Sequence, residues 1–389
     1  MKKALFYYLL CFPLTAAAQD TAKTMMVQTA GKLPFLKYGL GEDRLGGAKM
    51  TYLDSGVVMR VVDSVNTDYK VQLSENHFAY IAKSNTQWLP CKVPAPYYLT
   101  SGWHIYGDGQ FDYVTISLDE RLPYRSVQQI SPARIVVDIF GATSNTNWIS
   151  QLGSAKEIKN AWYEQTEDDV MRVYIELKHM QHWGYHIGYD STGKKLVILV
   201  KRQPEDLNIR KLKIAIDAGH GGTNTGATGV TSNVKEKDYA LNIAQAVNKL
   251  LKRKKVATYM TREKDTTLGM PERVEMLRAE SPHLLISIHL NSSGNMAVKG
   301  TGTYYRYIGF RSLSQAILRR MLELPLAEAG NVGAFNFALN GPTDYPNCLV
   351  EVAFLSNADD EKHILDPRFH NAVAKKIYKG IKDWLKEMK

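Results

Sequence analysis

The stretch Lys211–Gly222, KLKIAIDAGHGG, constrains the fold more than any other in this chain. Leu212, Ile214 and Ile216 alternate with Lys213 and Ala215, the period-two pattern of a strand. At Asp217 the alternation gives way to a glycine-rich turn that holds His220 between Gly219 and Gly221-Gly222. Glycine takes positive φ and lets the backbone approach a neighbour closely at little steric cost. The stretch therefore reads as a strand presenting one imidazole to a cleft from its carboxyl end. It also marks a change of texture, with short β patterns before it and alternating strands and helices after it.

From Lys211 onward, strands are expected at Leu212–Ile216, Val256–Thr261, Leu284–His289, Gly302–Arg306 and Cys348–Val352. Helices are expected at Asp238–Lys254, Pro271–Glu280, Leu313–Leu324 and Pro367–Glu387. This alternation predicts an α/β domain with a mainly parallel twisted sheet flanked by helices. Ala240, Ala244, Val247 and Leu251 fall at helical spacing, as do Val373, Ile377, Ile381 and Leu385. Both stripes read as core.

Before Lys211 the chain reads as all-β modules. Short alternating runs at Met50–Leu53, Val57–Val62, Lys70–Leu73 and Ala79–Ala82 are separated by turn residues such as Asp54-Ser55-Gly56. Thr21–Arg44 reads as a polar linker with one short strand. The 44–95 segment resembles a small bacterial barrel of the Src-homology-3-like type. Beyond Val93-Pro94-Ala95-Pro96 come further extended runs, among them Asp112–Leu118, Ala133–Ile139, Asp169–Leu177 and Leu196–Val200. Val136–Ala142, with Val170–Leu177 and Lys195–Lys201, resembles the amidase N-terminal (AMIN-type) domain over 98–202. That resemblance implies a β-sandwich that binds peptidoglycan or directs an enzyme to it. A β-module with a purely structural role is the competing reading. Gln203–Asn208 is a short linker, and 209–389 forms the α/β domain.

A chain of 389 residues is long for one core, which agrees with several domains. Its 49 Lys+Arg against 39 Asp+Glu favour anionic partners such as nucleic acid, anionic lipid or an acidic wall polymer. No long Lys/Arg run marks a nucleic-acid arm. Met1–Asp20 has a basic start at Lys2 and Lys3, an apolar stretch Ala4–Thr15, and small residues Ala16-Ala17-Ala18. This is the pattern of a secretory signal peptide, assigned to 1–19. Cys11 lies inside its apolar stretch and does not read as a lipid anchor. The remaining Cys91 and Cys348 fall in different domains and need no disulfide. No other stretch reads as a membrane span.

Three further residues are placed to meet His220. Glu236 lies at the start of the first helix, His289 ends an apolar strand, and Glu351 interrupts another. A carboxylate is almost never fully buried unless paired, so Glu351 needs a cation, a proton or a donor. Ligand sites in open α/β sheets gather outside the carboxyl ends of the strands, where His220, His289 and Glu351 all fall. Two histidines and a carboxylate suit a catalytic zinc site with one position left for water or substrate. A second carboxylate is then wanted to move the water's proton.

Asp217–Gly222, Gly226-Ala227, Glu236-Lys237-Asp238, Thr261-Arg262, Asp265, Leu268, Arg273, Ser287–Asn291 and Val350–Asn357 occur in a recurrent order. Together they resemble the zinc-dependent N-acetylmuramoyl-L-alanine amidases of bacterial cell walls. The resemblance implies that His220, Glu236 and His289 bind Zn2+ and that Glu351 is the catalytic base. It implies hydrolysis of the amide between N-acetylmuramic acid and L-alanine of the stem peptide, with the motif glycines leaving room for a bulky substrate.

Departures are Asn224-Thr225, where Asp-Pro is common, and Leu290, where alanine is usual. Some members carry a long helix covering the zinc between the strand after the second histidine and the next long helix. The short Tyr304–Arg311 connection predicts none here. Arg262 and Arg273 read as members of internal ion pairs; Asn291 and Asn357 as ligand-orienting or substrate-binding groups. The partners expected are peptidoglycan and an activator protein, with no nucleic acid and no stable membrane insertion. An exported enzyme is expected, periplasmic in preference to secreted. The alternatives are a zinc peptidoglycan peptidase and a non-catalytic wall-binding protein.

Overall fold

In the computed structural model, residues 25–41, 45–93, 95 and 97–388 are described; the signal-peptide segment 1–19 lies outside them. The first module is one seven-stranded antiparallel sheet running from Met25 to Trp88. The stretch read as a linker contributes two strands to it, Met25–Thr29 and Phe35–Lys37. Met25–Thr29 pairs with both Val58–Val65 and Thr86–Trp88. Its polar composition hid this, since only Met26, Val27 and Leu36 are apolar residues buried there.

Residues 98–201 form two facing sheets. One is a four-stranded antiparallel sheet containing Ala133–Phe140 and Val170–Leu177; the other is built on Tyr98–Asp108, Phe111–Leu118 and Lys195–Lys201. Trp103, Ile116, Ile135, Val173 and Ile198 fill the space between. The same apolar core continues without a break into Val27, Leu36, Val71 and Ile81 of the first module. The two β-modules therefore pack as one body.

The C-terminal domain holds the strands β1 (Lys213–Ala218), β2 (Ala257–Met260), β3 (Leu284–Asn291), β4 (Thr301–Tyr304), β5 (Glu328–Val332) and β6 (Asn347–Phe354). Its helices are α1 (Glu236–Arg253), α2 (Met270–Glu280), α3 (Arg311–Met321), α4 (Ala358–Leu365) and α5 (Pro367–Glu387). The sheet order is β2-β1-β3-β6-β4-β5. All neighbours run parallel except β4 with β6. This is the α/β architecture expected, with β5 and α4 added. The central strands are buried along nearly their whole length, as a sheet covered on both faces requires. The α1 and α5 stripes do enter the core.

Cys348 is buried and Cys91 exposed, and both are free. No described helix is long and apolar enough to cross a membrane. Between β4 and α3 there is only the single turn Ile308–Phe310, so no long helix is inserted there.

Candidate metal centre

β1 ends at Ala218, and two residues later His220 sits at φ 59°, a conformation uncommon for a side chain with a Cβ. A buried network beneath the turn holds it. Asp217, 1% exposed, accepts hydrogen bonds from Arg273 Nη1 (2.5 Å), Ser287 Oγ (2.6 Å) and Thr261 Oγ1 (2.7 Å). Arg273 also donates to the carbonyls of Ala218 (2.8 Å) and His220 (2.5 Å). Burial opposes ionisation of Asp217, yet Arg273 and the Ser287 hydroxyl outweigh it and hold the carboxyl below its ordinary range. Arg273 is thus the internal ion pair expected. Arg262 departs from that expectation: it donates to the carbonyls of Ala218 (3.0 Å), Gly219 (2.8 Å) and Lys237 (2.7 Å). Two buried guanidiniums carry the backbone of the turn.

Glu236 opens α1 but does more than complement the helix dipole. It is 4% exposed, and its Oε1 lies 3.0 Å from both His220 Nε2 and His289 Nδ1. Leu290 N–H donates to the same oxygen (3.0 Å) and Ala227 N–H to Oε2 (2.8 Å). Burial disfavours the Glu236 carboxylate, but the two imidazoles more than offset it and keep its pKa below the usual range. Leu290, one of the two departures, buries its side chain in the core and serves Glu236 through its backbone.

The other departure has a use as well. Asn224 Oδ1 lies 2.9 Å from His220 Nδ1, so it accepts a proton held on Nδ1 and leaves the Nε2 lone pair for an ion shared with Glu236. Such an outer hydrogen bond sets the tautomer and orientation of a ligating histidine. Sequence reasoning gave Asn224 no role. Its one signal was a polar side chain four positions after His220, inside a turn.

Donor atoms of His220, Glu236 and His289 all lie within 4.8 Å of one another. In tetrahedral zinc sites, ligands at 2.0–2.2 Å stand about 3.3 Å apart, close to the two 3.0 Å contacts. His289 Nε2 is buried and has no hydrogen-bond partner. Two imidazoles and a carboxylate at this spacing form a group able to hold a metal ion of borderline softness.

Two of the glycines leave room for this group itself. A Cβ on Gly219 would lie 2.4 Å from His289 Cε1, and one on Gly226 (φ +67°) 2.4 Å from Glu236 Oε2.

Glu351 lies on β6 directly in register with His289 on parallel β3, so the two side chains leave the sheet on the same face. Burial disfavours the His289 imidazolium, but Glu236 and then Glu351 outweigh it and raise the His289 pKa. Asn291 Nδ2 donates to the Tyr304 hydroxyl (3.1 Å). Asn357 instead caps α4, accepting from the N–H groups of Asp359 and Asp360. That is a structural task, not the one expected of it.

A family model described as N-acetylmuramoyl-L-alanine amidase matches residues 214–383, a span that includes all four of these residues. The germination-specific N-acetylmuramoyl-L-alanine amidase of Bacillus subtilis is 31% identical over 198 residues, which cover 46% of this chain and 82% of that one. The chain belongs to the N-acetylmuramoyl-L-alanine amidase family. The AMIN domain model matches residues 105–200 of the amidase. The amidase AmiC of Neisseria meningitidis is 25% identical over 381 residues, covering 75% of this chain and 91% of the relative. Among solved structures, the catalytic domain of the amidase CwlV from Bacillus (Paenibacillus) polymyxa is 34% identical. It covers 46% of this amidase and 99% of its own chain, with a TM-score of 0.43.

Proposed function

We propose that this peptidoglycan amidase is a zinc enzyme in which His220, Glu236 and His289 hold the ion and Glu351 is the general base. The observation that carries the reading is the buried Glu236 carboxylate shared by the two imidazoles, with Glu351 in register beside His289. Zinc, when bound, supplies the Lewis acid that polarises the scissile carbonyl and acidifies the attacking water. Glu351 takes the proton from that water and delivers it to the departing nitrogen of L-alanine. The Ala227 and Leu290 N–H groups keep Glu236 ionised and aimed, and Asn224 keeps the His220 Nε2 lone pair available. The products are a glycan lactyl carboxylate and a stem peptide with a free amino terminus.

In the same reading, 1–19 is a signal peptide that exports the chain to the periplasm. The module read from 44–95, which in the fold also takes in Met25–Thr29 and Phe35–Lys37, is Src-homology-3-like, 98–202 direct the enzyme to the wall, and 209–389 carry the catalysis. The activator protein expected from sequence belongs to this proposal.

Glu351→Gln and Glu351→Ala are expected to lower turnover by about 10²–10⁴-fold, the usual weight of a general base, while the zinc content stays that of the wild type. His220→Ala is expected to lose zinc as well as activity. A well-folded Glu351→Ala enzyme with substantial turnover would remove the base assignment.

A further inference from the structure

The first β-module grips the segment beside the metal centre around one side chain. Asn336, in the segment between β5 and β6, is inserted into the Leu45–Lys49 loop. Its Oδ1 accepts from the Lys49 backbone N–H (3.0 Å) and from Arg306 Nη1 (3.2 Å). Its Nδ2 donates to the carbonyls of Gly47 (3.0 Å) and Leu45 (3.2 Å). A primary amide has two donor hydrogens and two acceptor lone pairs, and this socket uses all four. The socket is closed by Lys49 Nζ on the Asn336 carbonyl (3.2 Å), by Arg306 on the Lys49 carbonyl, and by the Tyr52 hydroxyl on the Ala338 carbonyl (3.2 Å).

The residues on either side of Asn336 are aromatic and pack toward the metal-site histidine. Phe337 meets the His289 ring edge-on, with centroids 5.2 Å apart. Phe335 lies 6.2 Å from Phe337 and 4.7 Å from Tyr304, whose hydroxyl accepts from Asn291. All three aromatic residues are only partly buried, so they form an apolar wall running outward from a proposed zinc ligand.

We infer that Asn336 is a positioning residue through which the N-terminal module sets the Phe335–Phe337 wall for the apolar face of the muramyl-peptide substrate. The inference rests on the metal-site reading above. It gives the first module a task at the cleft that is separate from attachment to the wall. Within its own domain the segment is held at Phe335, whose N–H donates to the Tyr305 carbonyl, and at Phe337, whose carbonyl accepts from Asn340 N–H. The contacts from Leu45–Lys49 and Tyr52 fix Asn336, between the two rings, from outside the domain.

Two lesions test it in the zinc-loaded full chain. Asn336→Asp keeps the shape but turns two donors into an oxygen facing carbonyl groups; Lys49→Ala loosens the same socket from the module side. With soluble muropeptides, Asn336→Asp is expected to raise KM about tenfold, the weight of one partly lost apolar side-chain contact, with kcat and zinc content close to wild type because the wall binds without reacting, and Lys49→Ala to shift KM the same way. Phe337→Ala should reproduce the KM effect, and the double variant Asn336→Asp with Phe337→Ala should be no worse than Phe337→Ala alone, because residues acting through one group are not additive. Wild-type KM in both socket variants, loss of zinc in either, or single effects that multiply in the double variant would overturn the inference. A wild-type chain that fails to cleave muropeptides with zinc bound would instead overturn the proposed function.

Discussion

Replacing Asp217 by Asn tests how the fold holds its first metal-site histidine. Asp217 and Arg273 are each 1% exposed and joined at 2.5 Å. Asn conserves the shape but leaves the guanidinium as an uncompensated buried charge. Removing one partner of a buried pair costs about 3–5 kcal/mol, against a total stability of about 5–15 kcal/mol for a domain. A domain of this size loses about 2–4 °C of Tm per kcal/mol, so the melting transition of the catalytic domain should fall by roughly 6–20 °C. Urea unfolding should show a lower midpoint with an unchanged m-value, since the surface exposed on unfolding is unaltered. The pair itself is isolated by adding Arg273→Met. The double variant leaves no orphaned charge and should recover at least about 2 kcal/mol of the summed single costs. Zinc affinity should fall in Asp217→Asn, because Arg273 also carries the His220 carbonyl. A cost below about 1 kcal/mol, or strictly additive single effects, would refute the claim that this pair supports the turn.

Two further outcomes follow from individual contacts. Asn224→Ala removes the group that orients His220 Nδ1, and zinc affinity measured against a competing chelator should weaken about 10–100-fold; an unchanged affinity would deny Asn224 that task. Lys201 is buried with its ammonium on the Pro282 carbonyl, and burial pushes its pKa down from 10.5 to about 8. Between those two values the unfolded chain holds the proton and the folded chain does not. Stability from this group therefore rises with pH from about 8 to about 10.5, by up to about 3 kcal/mol, and its penalty is complete below pH 8. Urea melts of Lys201→Met should lack that rise relative to wild type; parallel pH profiles for the two proteins would contradict it.

The parts of the fold legible in the sequence were those with strong periodicity or a clear stop signal. α5 begins and ends where its stripe predicts, because Asp366 caps it and Pro367 occupies its first turn. β5 has the sequence EAGNV and sits at the sheet edge with no fully buried residue, so no alternation marked it. α4 is short and mostly charged, and it starts on the Asn357 cap. Before the helix was known, that asparagine was as readable as a binding group. Asp217 is open to the argument that singles out Glu351, since it too is a charge set within an apolar strand. The positive φ of His220, which brings Asn224 to its Nδ1, has no trace in residue spacing. The Asn336 socket lies 287 residues from its partner Lys49, and no local pattern reports such a contact.

Amide hydrolysis between N-acetylmuramic acid and L-alanine, at the zinc site proposed for His220, Glu236 and His289, leaves its signature in the products. Mass spectrometry of purified peptidoglycan digested by the full chain tests it most directly, run with chelator, without it, and with zinc restored. Complete stem peptides bearing a free L-alanine amino group are expected together with peptide-free glycan, absent under chelation and recovered with zinc. Glycan that keeps its stem peptides, cut only at the cross-links, or digestion that continues undiminished after zinc is stripped, would contradict it.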